Sequence, residues 1–163
     1  MGCTSTWAGH CREILSVRPA AADLVLVKDG FHIHVEDMRR RGLGLRIFHR
    51  QLENAKTLGI RRIETIAGRR DGENGYYTWP RFGFDGPLPE KIKEKLPLGL
   101  EHAHSVLDLI DCEKGRLWWR EHGDTIDVAF DVAEGSRSRK VFERYVRNKL
   151  KRDCRAARDD HDC

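Results

Sequence analysis

The chain has 163 residues, room for one ordinary domain with its own core and too little for two. Charged residues make up 34% and apolar residues 39%. The 30 Lys and Arg against 26 Asp and Glu give a net charge of +4, which excludes an acidic tail protein or a surface that traps polyanions throughout. No run of about 18 apolar residues occurs and the first residues carry no apolar signal core, so a soluble, cytoplasmic protein with no membrane contact is expected.

Cys3, Cys11, Cys112, Cys154 and Cys163 are odd in number and widely spaced, the usage of reduced thiols rather than a disulfide framework. Cys3, His10 and Cys11, like Cys154, His161 and Cys163, lack a Cys-x-x-Cys knuckle and a fourth ligand, so no metal is expected.

Residues 12–18 read as a short strand ended by Pro19, and the apolar run at 23–28 reads as a second. Asp29-Gly30 between two such runs predicts a hairpin. The next run, Phe31 to Val35, alternates with period two, placing Phe31, Ile33 and Val35 on one face and His32 and His34 on the other. Leu45, Phe48, Leu52, Ala55 and Leu58 recur at helical spacing and Gly59 stands where a helix should stop. Residues 60–67 predict a strand, so strand, helix and strand imply a βαβ unit.

Beyond a polar connection at 68–75, a short helix limited by Pro80 is expected. One helix over Glu90–Leu96, helical structure over 101–122, a strand over Thr125–Val132 and an amphipathic helix over 137–152 complete the reading. In that last helix Val141, Phe142, Tyr145, Val146 and Leu150 share a face. Trp118-Trp119 is expected to give one core anchor and one edge residue. The expectation is one α/β domain over 1–153, a mixed sheet with flanking helices, and a loose tail over 154–163.

Arg39-Arg40-Arg41-Gly42-Leu43-Gly44, between a strand and a long helix, has the makings of an anion site. The first-turn amides of a helix lack internal acceptors and sit at the positive end of its dipole. Glycines let a diphosphate approach the backbone, and arginines add forked donors. No Gly-x-x-x-x-Gly-Lys-Ser/Thr occurs. A Gly-x-Gly-x-x-Gly reading fails because Ile47 holds the third glycine's place, and Glu64 falls inside a strand rather than at its end. The diphosphate of coenzyme A is the third option.

On these residues the chain resembles the GCN5-related N-acetyltransferase (GNAT) superfamily. Arg39-x-x-Gly42-x-Gly44 looks like that family's Arg/Gln-x-x-Gly-x-Gly/Ala motif, and Arg81-Phe82-Gly83-Phe84 resembles the Gly-Phe after its second cofactor helix. The resemblance covers the core region 22–86, with 87–153 as an α-rich C-terminal extension and a front shorter than the family's. It implies a GNAT-like acyl-CoA-binding fold and transfer of acetyl from acetyl-CoA to a small-molecule or peptide amine, by direct attack in a ternary complex.

The same resemblance implies that the backbone near Val35 pairs with the pantetheine arm. It implies that Arg39, Arg40, Arg41, Gly42, Leu43, Gly44 and Leu45 hold the diphosphate, with Asn74 near the pantetheine. Trp79 stands where the family carries its tyrosine acid, which makes Tyr77 the substitute. Glu36 and His34 are the candidate bases. A homodimer or a partner chain would complete the wall that the short front leaves out. The alternative is a non-catalytic acyl-CoA-binding or protein-interaction domain that has lost the acid. A third reading, nucleic-acid binding by the basic helix (Arg137, Arg139, Lys140, Arg144, Arg147, Lys149, Lys151, Arg152), lacks interleaved exposed aromatics and is not expected.

Overall fold

Val25 and Leu26 are adjacent and both buried, which in a strand means that both faces of the sheet are covered there. The computed structural model describes the backbone of residues 2–7, 11–20, 23–33, 43–70 and 74–159, and side chains over 14–17, 24–28, 43–70 and 74–149. It is a mixed α/β fold around a five-stranded sheet of order β1-β2-β3-β4-β5: β1 (Gly2–Trp7), β2 (Cys11–Ala20), β3 (Asp23–Ile33), β4 (Ile60–Ala67) and β5 (Ile126–Asp131). Neighbours run antiparallel except β3 and β4, which are parallel and joined through helix α1 (Leu43–Thr57). The expected βαβ unit is therefore present.

Helix α1 buries Phe48, Leu52 and Ala55, the stripe its spacing implies, and Gly59 follows it with a φ of 70°. Leu58 is a correction: it lies past the last helical turn and is 63% exposed. Strand β4 has the bounds expected of it. The 68–75 connection leads into α2 (Gly75–Arg81), which contains Pro80 in its last turn.

Helices α3 (Glu90–Lys93), α4 (Val106–Ile110) and α5 (Glu113–His122) follow, and the helical stretch expected over 101–122 is thus two helices preceded by turns. Two local features account for the division. A capping box at Ser105 and Asp108 starts α4, and the Cys112 sulfur accepts from the Gly115 amide to start α5. Trp119 is fully buried, its indole N–H donating to the Tyr76 carbonyl at 2.8 Å, whereas half-buried Trp118 stacks on His122. Helix α6 runs from Arg137 to Asp159, so the expected tail begins as helix.

The Asp29-Gly30 hairpin is overturned. β3 is one strand through both residues, and β2 and β3 meet at Ala20↔Asp23, so the chain reverses before Asp23. β2 likewise passes through Pro19 instead of ending there. The register moves from Ile14↔Gly30 to Leu15↔Lys28, which leaves Asp29 as the extra residue of a β-bulge. A turn dipeptide reverses a chain only if its flanking runs pair with each other. Here residues on both sides of it find β2 as partner.

Above the sheet the core is aromatic. Phe48 is its hub, with ring centroids 5.1 Å from Phe142, 5.3 Å from Phe84 and Phe130, 5.8 Å from Phe82 and 6.3 Å from Trp79. Edge-on, tilted and stacked ring contacts such as these add to the stabilisation from the area they bury. They tie α1, α2, β5 and α6 together.

Candidate functional site at the parting of two parallel strands

In an open sheet, ligands bind where parallel strands end at their carboxyl side and the connections diverge. The β3–β4 register starts at Leu24↔Ile60 and ends at Lys28↔Thr65. Beyond it β3 continues to Ile33 against β2, while Ile66 and Ala67 of β4 continue against β5. The two strands therefore part after Lys28 and Thr65. At this point the Thr65 hydroxyl donates to the Lys28 carbonyl across the pair at 2.7 Å.

The helices bring their amino ends to this opening. The carboxyl end of α1 feeds β4 through Leu58-Gly59, and its 15 residues, rising about 1.5 Å each, carry the other end back along the strands. Leu43, Gly44 and Leu45 make the first turn there, all half-buried, with no acidic side chain among them. Helix α2 starts directly off β4, its Tyr76 amide donating to the Gly68 carbonyl at 3.0 Å.

Asn74 is the N-cap of α2. It is exposed, its side-chain oxygen accepts from the Thr78 hydroxyl at 3.1 Å, and its carbonyl accepts from the Tyr77 and Thr78 amides. The Tyr76 hydroxyl is committed to the Arg120 carbonyl at 2.8 Å. The half-buried Tyr77 ring lies 5.1 Å from the Arg81 guanidinium, and its hydroxyl makes no hydrogen bond among the described residues. His34, Val35, Glu36, Arg39, Arg40, Arg41 and Gly42 lie outside the described residues.

Trp79 packs its ring into the aromatic core, 5.2 Å from Phe84 and 6.0 Å from Phe82. Over that ring, 5.2 Å from its centroid, lies the ammonium of Lys28. Lys28 is 2% exposed, and its Nζ donates to Gln51 Oε1 of α1 at 3.2 Å. Sequence reasoning missed this residue. The signal was there: Lys28 closes the continuous apolar run Leu24-Val25-Leu26-Val27, on the face it shares with Leu26.

Two surface clefts lie elsewhere. One of about 270 Å³ between α1 and α6 is lined by His49, Leu52, Glu53, Arg139, Phe142 and Val146. Arg139 Nη1 is buried there without a hydrogen bond, 3.8 Å from Glu53. The other, of about 300 Å³, is bounded by Asp111, Arg137, Lys140, Val141 and Arg144. Part of the basic character of α6 is taken up locally, since Arg137 pairs with Asp108 at 2.6 Å and Arg144 with Asp111 at 3.2 Å. Burial alone would raise the Asp108 carboxyl. The Arg137 guanidinium and the Ser105 and His104 amides outweigh it and hold the pKa at about 2.

Among the described residues no three His, Cys, Asp or Glu side chains gather as a metal site, and no helix is long and apolar enough to cross a membrane. No family model, curated protein or solved structure matches the chain.

Proposed function

We propose that the chain is an acyl-CoA-dependent N-acyltransferase that moves an acetyl group from acetyl-CoA to an amine by direct attack in a ternary complex. The observation that carries this reading is the parting of β3 and β4 after Lys28↔Thr65, at the end where α1 begins. An extended pantetheine arm carries amide donors and acceptors, and a strand edge without a neighbouring strand is a template for them. The first-turn amides of α1, from Leu43 on, suit the diphosphate. The resemblance of Arg39 to Gly44 to the GNAT motif places the arginine run in the same connection.

In this reading the diphosphate lies against Arg39 to Leu45, the arm runs along β3 toward Val35, and Asn74 flanks it from α2. Glu36 or His34 takes the proton of the attacking amine. The acceptor is a small molecule or a peptide amine, and a second copy or a partner chain supplies the outer wall.

The non-catalytic alternative has one observation in its favour, the Trp79 ring being occupied by core packing where an acid is expected. Calorimetric titration with acetyl-CoA, with NADH and ATP as controls, tests both. Saturable binding of acetyl-CoA alone, followed by thiol release with an amine panel, is the expected result. Binding without thiol release favours a non-catalytic acyl-CoA-binding domain, and no binding refutes both acyl-CoA readings and leaves the protein-interaction domain.

A further inference from the structure

We propose that the outer face of α6 is a docking surface for the phosphate backbone of a double-stranded nucleic acid. The proposal goes beyond the acyl-CoA reading and does not depend on it.

Along the sequence the basic residues of this helix are mixed with Glu143 and Asp153, and the helix separates them. Ser138 and Phe142 are buried and mark its inward side. Arg137, Lys140, Arg144 and Arg147, at spacings of three, four and three, form a row on the opposite side, and all four are exposed. The helix backbone continues to Asp159, so its register puts positions 151, 155 and 158, a lysine and two arginines, in the same row. The other positions on that side, Asn148 and Cys154, are uncharged. From 137 to 158 the row is about 31 Å long.

Carboxylates take up only part of this charge. Arg137 pairs with Asp108 at 2.6 Å and lies 3.9 Å from Asp85, and Arg144 pairs with Asp111 at 3.2 Å. Arg116 of α5, which donates to the Ile110 and Asp111 carbonyls, adds a further cation beside Asp111. Glu143 is turned toward Arg139, 4.0 Å away. Lys140 and Arg147 make no ion pair or side-chain hydrogen bond among the described residues.

The chemistry of the row selects the partner. A protein interface needs an apolar centre, and a helix lying on a membrane inserts an apolar face. The row offers neither, because Phe142 is in the core and Val141, Tyr145 and Val146 pack against it. Single strands are held by stacking on aromatic rings, and the Tyr145 ring is occupied by Phe82 at 5.1 Å and by the Arg81 guanidinium at 5.2 Å. A duplex backbone carries one charge per about 1.7 Å of axis and is bound by charge alone. The lack of interleaved aromatics, which argues against a stacking platform, is therefore no obstacle to a duplex. Five of the seven cations in the row are arginines, whose forked donors fit phosphate oxygens.

The full chain is titrated into labelled DNA and RNA duplexes of about 20 base pairs, by fluorescence anisotropy, at about 50 to 200 mM salt. A DNA single strand and phosphatidylserine vesicles are run in parallel. With two of the seven cations shared with carboxylates, about five phosphates are neutralised. The logarithm of affinity should fall against that of salt with a slope of about −4 to −5, a loss of roughly 10²–10³-fold over the range. The duplex bound more tightly, DNA or RNA, identifies the source of the phosphates. Lys140→Gln with Arg147→Gln should make the slope shallower by about 2. Arg50→Gln with Lys95→Gln removes the same charge from exposed positions outside α6 and should leave the slope unchanged. If the first double variant does not fold, its two single substitutions decide, each expected to take about 1 off the slope. No duplex binding at about 50 mM salt overturns the proposal, and so does an equal change in both double variants. Tighter binding to the single strand or to the vesicles than to either duplex overturns it as well.

Discussion

Gly83 lies in the Arg81 to Phe84 stretch that carries part of the family resemblance, and replacing it by alanine separates backbone strain from steric exclusion. Its φ is 99°, a region L side chains rarely enter. A Cβ built there would overlap the Ser138 carbonyl oxygen in α6, with the carbonyl carbon at 3.0 Å and the Phe130 ring at 3.2 Å. Two other glycines serve as controls. Gly59, with φ 70°, and Gly135, with φ 76°, have nothing within 4 Å of such a Cβ, so alanine there meets strain alone.

Positive-φ strain costs about 1–2 kcal/mol, and the stiffer unfolded chain returns about 0.4–1 kcal/mol, so the controls should lose about 1 kcal/mol or less. Gly83→Ala adds overpacking of roughly 1–3 kcal/mol, because the obstacle is backbone of a helix whose Ser138 hydroxyl also accepts from the Asp131 amide at 3.1 Å. The total is about 1–4 kcal/mol, a large part of a domain stability of about 5–15 kcal/mol. Urea unfolding followed by circular dichroism measures it. With a slope of about 2 kcal/mol per molar, the midpoint should fall by about 0.5–2 M for Gly83→Ala and by about half a molar or less for the controls. Equal shifts in all three would refute the close approach of α6 to this turn.

Phe48→Ala, which empties the hub of the aromatic cluster, should cost about 3–5 kcal/mol in the same assay. Asp108, with its folded pKa lowered from 3.8 to about 2, adds stability that is fully present above its unfolded value and lost as pH falls through about 2. Asp108→Asn should therefore flatten the acid limb of stability against pH between those values, leaving its shape near neutrality unchanged. Gly44→Asp puts a carboxylate in the first turn of α1, where the proposed diphosphate site lies, and should abolish coenzyme A binding with the circular dichroism spectrum unchanged. Retained affinity in that variant would remove α1 from the phosphate site.

Periodicity made α1 and α6 legible in the sequence. Phe48, Leu52 and Ala55 repeat as one helical stripe, Ile63, Thr65 and Ala67 alternate, and Gly59 marks a stop; each signal is local to its own element. The expectation of an anion site at Arg39 to Gly44 likewise rests on composition at one connection. What failed was pairing. Asp29-Gly30 has the chemistry of a turn, yet β2 offers a partner on both sides of it, and the dipeptide is absorbed as a bulge in a single strand. Leu58 continues the stripe in sequence but falls beyond the last turn that rests on the sheet.

The candidate site divides along the same line. Tyr77 and Asn74 were legible as polar groups at the start of a short helix, but whether each faces a ligand or a neighbouring side chain is set by packing. Lys28 shows the limit most clearly. By itself the sequence determined that a lysine ends an apolar strand, on the face shared with Leu26. Only the tertiary structure decided that α1 and α2 close over that face, with Gln51 and Trp79 around the ammonium, and that β3 and β4 part at that residue. A local pattern is written in the chain that carries it, whereas a buried charge owes its surroundings to segments tens of residues away.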